Sequence, residues 1–234
     1  RPTFAPIAAG TAYPMVPRPP EFNQVRGLSY RMNWLAHIFV SAEAVDYQLG
    51  NLLADPLKGK PWSGASEATR NGFAMHKVID RFTDHHPAFI NSKSRLGDKG
   101  FLRGVVIDMV YDHLLIRSWD EYALVERAAF IETFYAKALA AAADYPPQPR
   151  QIVRGIIGSD YLTSYADLDG LHRALERIDI RLSRNGRGKK QVVEYMPVIE
   201  THLDGLQQDF DDFFPSLLAH FKSMSGMKNH QWMK

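Results

Sequence analysis

Two aspartates and a histidine interrupt an otherwise apolar stretch of the sequence, from Gly104 to Ile116. A helix that is apolar almost all round is usually buried, and a buried carboxylate costs roughly several kcal/mol unless a partner or a metal offsets it. Asp108 and Asp112 are one helical turn apart, so both can reach one cation, while His113 points away. The stretch therefore predicts either a metal site or a structural network in which both aspartates hold one basic side chain.

A second pair of candidate ligands lies between Met75 and Arg81. His76 and Asp80 are four positions apart, so a helix presents an imidazole and a carboxylate on one face. Such nitrogen and oxygen ligands suit a hard or borderline divalent ion, and two helices that present them form an open site for water and phosphate. An exposed hydrogen bond between the same two side chains would give an identical pattern.

Two further candidates, His37 and Asp55, lie earlier in the chain among leucines and alanines. A lone histidine on an apolar face more often bonds a carbonyl in the core, and an aspartate before a proline more often forms a turn. Four separate placements of His and Asp in apolar segments are harder to explain in this way, and together they favour a metal site.

The elements that must position these side chains are helices. Leu35, Ile38 and Phe39 follow helical spacing from Met32 onward, and strand-type alternation is scarce. The pattern predicts one helix from the N-cap Ser66 to about Asp84, ended by His85-His86-Pro87, and another from about Phe101 to Arg117. Later helices are predicted from an Asp120 cap to Ala143, from Arg150 to Ile157, from Asp167 to Leu182, and from Gln191 to Phe214 or beyond.

Composition is that of one globular domain without thiol chemistry. The 234 residues are 45% hydrophobic and 23% charged, and there is no cysteine, so disulfides, Cys-ligated zinc and thiol nucleophiles are excluded. We predict an all-α, single-domain helical bundle over residues 32–223. A proline-rich N-terminal extension would precede it over residues 1–31, and a C-terminal tail would follow over residues 224–234.

Membrane and nucleic-acid partners are not expected. The longest apolar stretch, Val105 to Ile116, is too short to cross a bilayer, and the first 31 residues lack the apolar region of a secretory signal. The basic loop Arg184 to Lys190 is short and has no interleaved aromatic residues, and no nucleic-acid motif is visible. We expect a cytoplasmic protein.

Four motifs, in this order and spacing, resemble the acyl-carrier-protein phosphodiesterase family: Met32-Asn33-Trp34-Leu35-Ala36-His37, Gly50-Asn51-Leu52-Leu53-Ala54-Asp55, His76-Lys77-Val78-Ile79-Asp80 and Asp108-Met109-Val110-Tyr111-Asp112-His113. That family is regarded as a divergent branch of the helical HD phosphohydrolases. The resemblance implies an HD-like bundle with a divalent metal, commonly manganese, with magnesium as the alternative. The implied substrate is holo acyl carrier protein, at the phosphodiester between its serine and 4′-phosphopantetheine.

The resemblance also implies which residues carry the chemistry. Metal ligands are expected among Asp55, His76, Asp80, Asp108 and Asp112. A general acid that protonates the serine oxygen is expected among His37, His76 and His113. HD enzymes usually carry an adjacent His-Asp pair, whereas here the order is reversed in Asp112-His113.

A positive stretch offers a surface for an acidic carrier protein. From Leu57 to Arg103 nine Lys and Arg stand against four Asp and Glu, a net charge of +5 where the whole chain has +2. Such charge steers acidic partners and raises association rates, although a solvated helix face is the commoner explanation. The candidate contacts are Lys58, Lys60, Arg70, Lys77 and Arg81.

Two other functions fit the same residues. One is an HD-type hydrolase of nucleotides or other small phosphoesters. The other is a non-catalytic helical adaptor that binds an acidic partner through the Leu57 to Arg103 surface, with structural Asp and His inside.

Overall fold

A computed structural model describes residues 34–184, 192–222, 224 and 231–234. Within these residues the chain forms eleven α-helices and no strand, which confirms the all-α fold class. The predicted extension over residues 1–31, the motif residues Met32 and Asn33, and the basic loop after Arg184 lie outside the described residues.

The helices run in chain order as α1 (Trp34–Phe39), α2 (Val45–Leu53), α3 (Glu67–His85), α4 (Pro87–Arg95), α5 (Arg103–Arg117), α6 (Trp119–Tyr122), α7 (Arg127–Ala142), α8 (Pro147–Gly158), α9 (Leu168–Arg184), α10 (Met196–Thr201) and α11 (Leu203–Lys222), with a 3-10 turn at Val193–Tyr195.

Helix α5 is the centre of the bundle. Every residue from Val105 to Ile116 is buried, as the apolar sequence predicts. It packs against α1, α4, α9 and α11. Aromatic side chains fill the space between α5 and α11, where the rings of Tyr111 and Phe210 meet edge to face at 5.3 Å. The side chains of α5 are thereby fixed in a rigid core.

Two glycines let α2 and α3 approach closely. A Cβ on Gly50 would lie 2.1 Å from the carbonyl oxygen of Thr69, and a Cβ on Gly72 would lie 2.1 Å from that of Tyr47. No real side chain fits at either position, so the backbones touch where the helices cross. The contact brings the C-terminal end of α2 beside the middle of α3.

Local sequence patterns predict some of the helix boundaries correctly. Ser66 caps α3 as predicted, because its Oγ accepts a hydrogen bond from the Thr69 amide. α3 ends at His85, but the break is immediately followed by α4, which was not predicted. Pro87 suits the first turn of a helix, and the His86 ring accepts from the Ala88 amide.

Two boundary predictions were wrong. α7 begins after Glu126 rather than at an Asp120 cap, and residues 119–122 form the separate α6. The long helix predicted from Gln191 is divided into the 3-10 turn, α10 and α11. Here the Asp179 carboxylate of α9 accepts from the amides of Val192 and Val193 at 3.0 Å, a long-range contact that holds this turn.

Candidate metal centre

α2 and α3 supply three of the converging side chains. Asp55 follows the last turn of α2, and His76 and Asp80 stand one turn apart on α3. Nε2 of His76 lies 3.2 Å from Oδ1 of Asp55 and 3.4 Å from Oδ2 of Asp80. His76 and Asp80, spaced i, i+4 on α3, therefore form one cluster with Asp55, which follows α2.

α1 supplies the fourth side chain. Nε2 of His37 lies 3.5 Å from Oδ1 of Asp80, and the rings of His37 and His76 are 4.4 Å apart between centroids. A helix of six residues is marginal alone. Asp112 of α5 stabilises it, because its two carboxyl oxygens accept the Leu35 amide at 3.0 Å and the Ala36 amide at 2.9 Å.

Ligand atoms of His37, His76 and Asp80 all lie within 4.8 Å of one another, and this group could hold a metal ion. The two imidazoles are nearly sealed, with 0% and 6% of their side chains exposed, whereas Asp80 is 21% exposed. The cluster therefore opens to solvent on its carboxylate side. A ligand that enters there meets the carboxylates first.

The donor set fits a divalent ion. Imidazole with carboxylate suits Mn²⁺, Zn²⁺ or Fe²⁺, and carboxylate with water suits Mg²⁺. Oδ2 of Asp55 is buried and accepts no hydrogen bond. A buried carboxylate oxygen without a donor is costly, and a cation in this group would satisfy it.

Asn51 also belongs to this site, and sequence reasoning missed its role. Its Oδ1 is hydrogen-bonded to Nδ1 of His37 at 2.7 Å and to Nδ1 of His76 at 3.2 Å. The only sequence feature that points to Asn51 is its place in the Gly50 to Asp55 motif. Asparagine in an apolar helix has no spacing rule that links it to a histidine 25 positions away.

Of the other three predicted residues, Asp112 and His113 bind backbone groups. Asp112 binds the α1 amides, and burial raises its pKa to about 8 even though these two hydrogen bonds lower it. Nδ1 of His113 donates to the Tyr165 carbonyl at 2.7 Å, and burial lowers the pKa of the ring. Asp108 is buried in α5. Burial raises the pKa of the neighbouring Tyr111, and the charge of Asp108 adds to that rise. Their predicted roles as ligands or acid gain no support from these contacts.

Two of the predicted basic residues line a cavity that also includes Pro56, the residue after Asp55. Lys58 and Lys60 lie on the turn that follows Asp55, and Lys58 adopts a left-handed backbone with φ of 55°. The cavity has a volume of about 330 Å³ and is also lined by Trp62 and Pro149. The adjoining Gly59 packs under Lys77, whose Cε would lie 3.4 Å from a Cβ placed there. Three lysines thus lie close together, two on the turn after α2 and one on α3.

The remaining two basic residues lie on the outer face of α3. Arg70 and Arg81 are both exposed. The Arg70 guanidinium donates to the Ala65 carbonyl at 2.5 Å, which ties it to the turn before α3.

None of the helices in the described part of the chain is both long enough and apolar enough to span a bilayer.

Comparison with known proteins gives one consistent family. Residues 32–217 match the family model described as acyl carrier protein phosphodiesterase. The chain is 25% identical over 194 residues to an acyl carrier protein phosphodiesterase of Enterobacter sp. (strain 638), covering 82% of this chain and 98% of the relative. Proteins of the same name from Salmonella paratyphi A (strain ATCC 9150 / SARB42) and Salmonella agona (strain SL483) are each 25% identical over 190 residues, covering 80% of this chain and 96% of the relative. No solved structure matches the chain.

Proposed function

This chain belongs to the acyl carrier protein phosphodiesterase family, and we propose that it hydrolyses the phosphodiester between 4′-phosphopantetheine and the serine of holo acyl carrier protein. The products are apo acyl carrier protein and 4′-phosphopantetheine. One observation carries the proposal: His37, Asp55, His76 and Asp80, from three of the four motifs, converge in one cluster.

The proposed cofactor is a divalent cation, Mn²⁺ or Mg²⁺. His37 and His76 would hold it through Nε2, and Asp80 and Asp55 through carboxylate oxygens that lie 3.2–3.5 Å from those nitrogens. When bound, the cation offsets negative charge that develops on the phosphoryl oxygens. The two carboxylates also lie on the solvent side, where they can orient an incoming water molecule by hydrogen bonds.

The cavity beside Asp55 suits the pantetheine arm. Its lining combines an indole, two prolines and two lysines with the amide of Gln148. The arm combines a dimethyl group, amides and a phosphate, so each part finds a matching surface. Lys58, Lys60 and Lys77 add positive charge near the phosphate end. This charge also favours approach of an acidic carrier protein, and it raises the association rate more than the affinity.

Mass spectrometry of the carrier protein tests the proposal. Purified protein is incubated with holo acyl carrier protein and Mn²⁺, with a chelator in a parallel reaction. We expect the carrier to lose the mass of one phosphopantetheine only when metal is present. If the protein is instead a hydrolase of nucleotides, it should hydrolyse nucleotides and leave the carrier protein unchanged. If it is a non-catalytic adaptor, it should bind the carrier protein without any loss of carrier mass. Either result would reject the proposal. The cytoplasmic location stays a prediction.

A further inference from the structure

The amide of Asn51 can adopt only one orientation. Its Nδ2 donates to the carbonyl of His37 at 3.2 Å and to Oγ of Ser41 at 2.8 Å. Ser41 Oγ in turn donates to the same carbonyl at 2.7 Å. A carbonyl oxygen only accepts, so the NH₂ end of Asn51 must face α1. The amide oxygen therefore faces the two imidazoles.

That orientation fixes the tautomer of both rings. Oδ1 of Asn51 only accepts, so the Nδ1 atoms of His37 and His76, at 2.7 and 3.2 Å, must both carry hydrogen. Asn51 is fully buried at 0% exposure, so water does not replace either contact. In each neutral ring the lone pair then belongs to Nε2.

Both Nε2 atoms point at carboxylates. Nε2 of His37 lies 3.5 Å from Asp80. Nε2 of His76 lies 3.2 Å from Asp55 and 3.4 Å from Asp80. Lone pairs facing anionic oxygens at these distances repel unless positive charge is placed among them. A divalent cation supplies that charge to all four side chains at once.

We infer that Asn51 is a positioning residue, which orients both imidazoles with Nε2 toward Asp55 and Asp80 and so preorganises them as a pair of metal ligands. The catalytic role of the bound cation rests on the proposed function. A hydrogen bond to the second ring nitrogen is how proteins commonly orient a ligating histidine. Here one side-chain oxygen serves two histidines.

The tautomers of the two rings also restrict which group can act as the general acid. Neither His37 nor His76 retains an N–H on the side that faces the carboxylates, so neither can protonate the serine oxygen while it acts as a ligand. The proton must then come from another donor at the open side of the site.

Long-range ¹⁵N–¹H correlation spectra of the metal-free wild-type protein test the tautomers directly. Histidine nitrogens that carry hydrogen differ in shift and coupling pattern from those that do not. We expect His37 and His76 to carry hydrogen on Nδ1. A neutral ring with hydrogen on Nε2 and a bare Nδ1 at either position would overturn the inference, and no variant is needed to obtain this result.

Calorimetric titration with Mn²⁺ tests the consequence. Asn51→Ala should bind Mn²⁺ about 10–100-fold more weakly than wild type, the usual cost of losing a residue that orients a ligand. Asn51→Asp keeps an acceptor for both rings but places its second oxygen against the His37 carbonyl, so it should recover only part of the affinity. Asn91→Ala is the matched control, because Asn91 also donates to a partner helix, at Asp209, away from the cluster. Wild-type affinity in a folded Asn51→Ala protein would contradict the inference.

The mass-spectrometric assay separates the two failures. If wild type leaves holo carrier protein intact, the proposed function fails. If wild type is active but Asn51→Ala binds Mn²⁺ equally well, only the role of Asn51 fails.

Discussion

Two carboxylates in this molecule, one buried and one half-buried, have opposite surroundings. Asp209 of α11 accepts four hydrogen bonds, from Nε and Nη2 of Arg95, from Ser92 and from Asn91, at 2.6–3.2 Å. Burial alone would raise its pKa, but these donors bring the pKa below its usual value. Asp55, beside the histidines, has one buried oxygen that accepts no hydrogen bond.

The difference separates a structural cluster from a binding cluster. The Asp209 cluster contains its own cation and joins α4 to α11, so it needs nothing from solution. The histidine cluster gathers acceptor atoms on its open side, which is favourable only around added positive charge. A cluster of buried polar residues therefore does not by itself indicate a metal site. An excess of hydrogen-bond acceptors over donors within the cluster does.

The largest effect is expected when Asp80 is removed. Its two oxygens face His37 and His76. Asp80→Ala should lower the hydrolysis rate of holo carrier protein by about 100-fold or more, since losing a residue that only orients a ligand already costs 10–100-fold. Steady-state kinetics with Mn²⁺ measures the loss. An Asp80→Ala protein that retains wild-type rates would show that the cluster is not the active centre.

Removing Asp209 should have the complementary effect. Asp209→Ala leaves the Arg95 guanidinium without its carboxylate acceptor and removes one partner from Ser92. We expect the free energy of unfolding to fall by about 3 kcal/mol. Activity below the melting transition should be nearly unchanged. Urea denaturation and the hydrolysis assay measure the two quantities. A large loss of activity in the folded variant would assign a role in the site to the Asp209 cluster.

A substitution at the helix crossing should couple stability to metal binding. Gly72→Ala drives α2 and α3 apart, because its Cβ would lie 2.1 Å from the Tyr47 carbonyl oxygen. We expect a destabilisation of about 1–3 kcal/mol and weaker Mn²⁺ binding. Gly104→Ala is the control, because its Cβ would meet only Lys93 at 4.0 Å. Equal stability and equal Mn²⁺ affinity of the two variants would show that the contact between α2 and α3 does not position the metal ligands.

The Asp112 carboxylate should make stability depend on pH. Burial raises its pKa from 3.8 to about 8, so between these values the folded protein keeps a proton that the unfolded chain has lost. The stability that this group contributes should therefore decrease as pH rises from about 4 to about 8, and be constant outside that range. Unfolding free energies of wild type and Asp112→Asn across pH test this. A constant difference between the two would refute the shifted pKa.

The smallest effect is expected at the lysines that line the cavity after Asp55. Lys60→Glu should raise KM for holo carrier protein by about 3–10-fold and weaken its dependence on salt, with little change in kcat. Arg173→Glu, on the exposed face of α9, is the control. If both reversals raise KM equally, general charge rather than this surface attracts the carrier.

Sequence patterns predicted much of this arrangement because they are local. The burial of α5 follows from its apolar composition, and the pairing of His76 with Asp80 follows from helical spacing. Patterns failed where the decisive contact is distant in the chain. Asp112 and Asp80 look equally suited to bind metal, but only the fold shows that Asp112 holds the start of α1.

A crystal of the protein soaked in Mn²⁺ and measured at the manganese absorption edge would show directly where the ion binds. We expect an anomalous peak between Nε2 of His37 and His76 and the carboxylates of Asp80 and Asp55. A peak at Asp108 and Asp112 instead, or no peak in this cluster at saturating Mn²⁺, would contradict it.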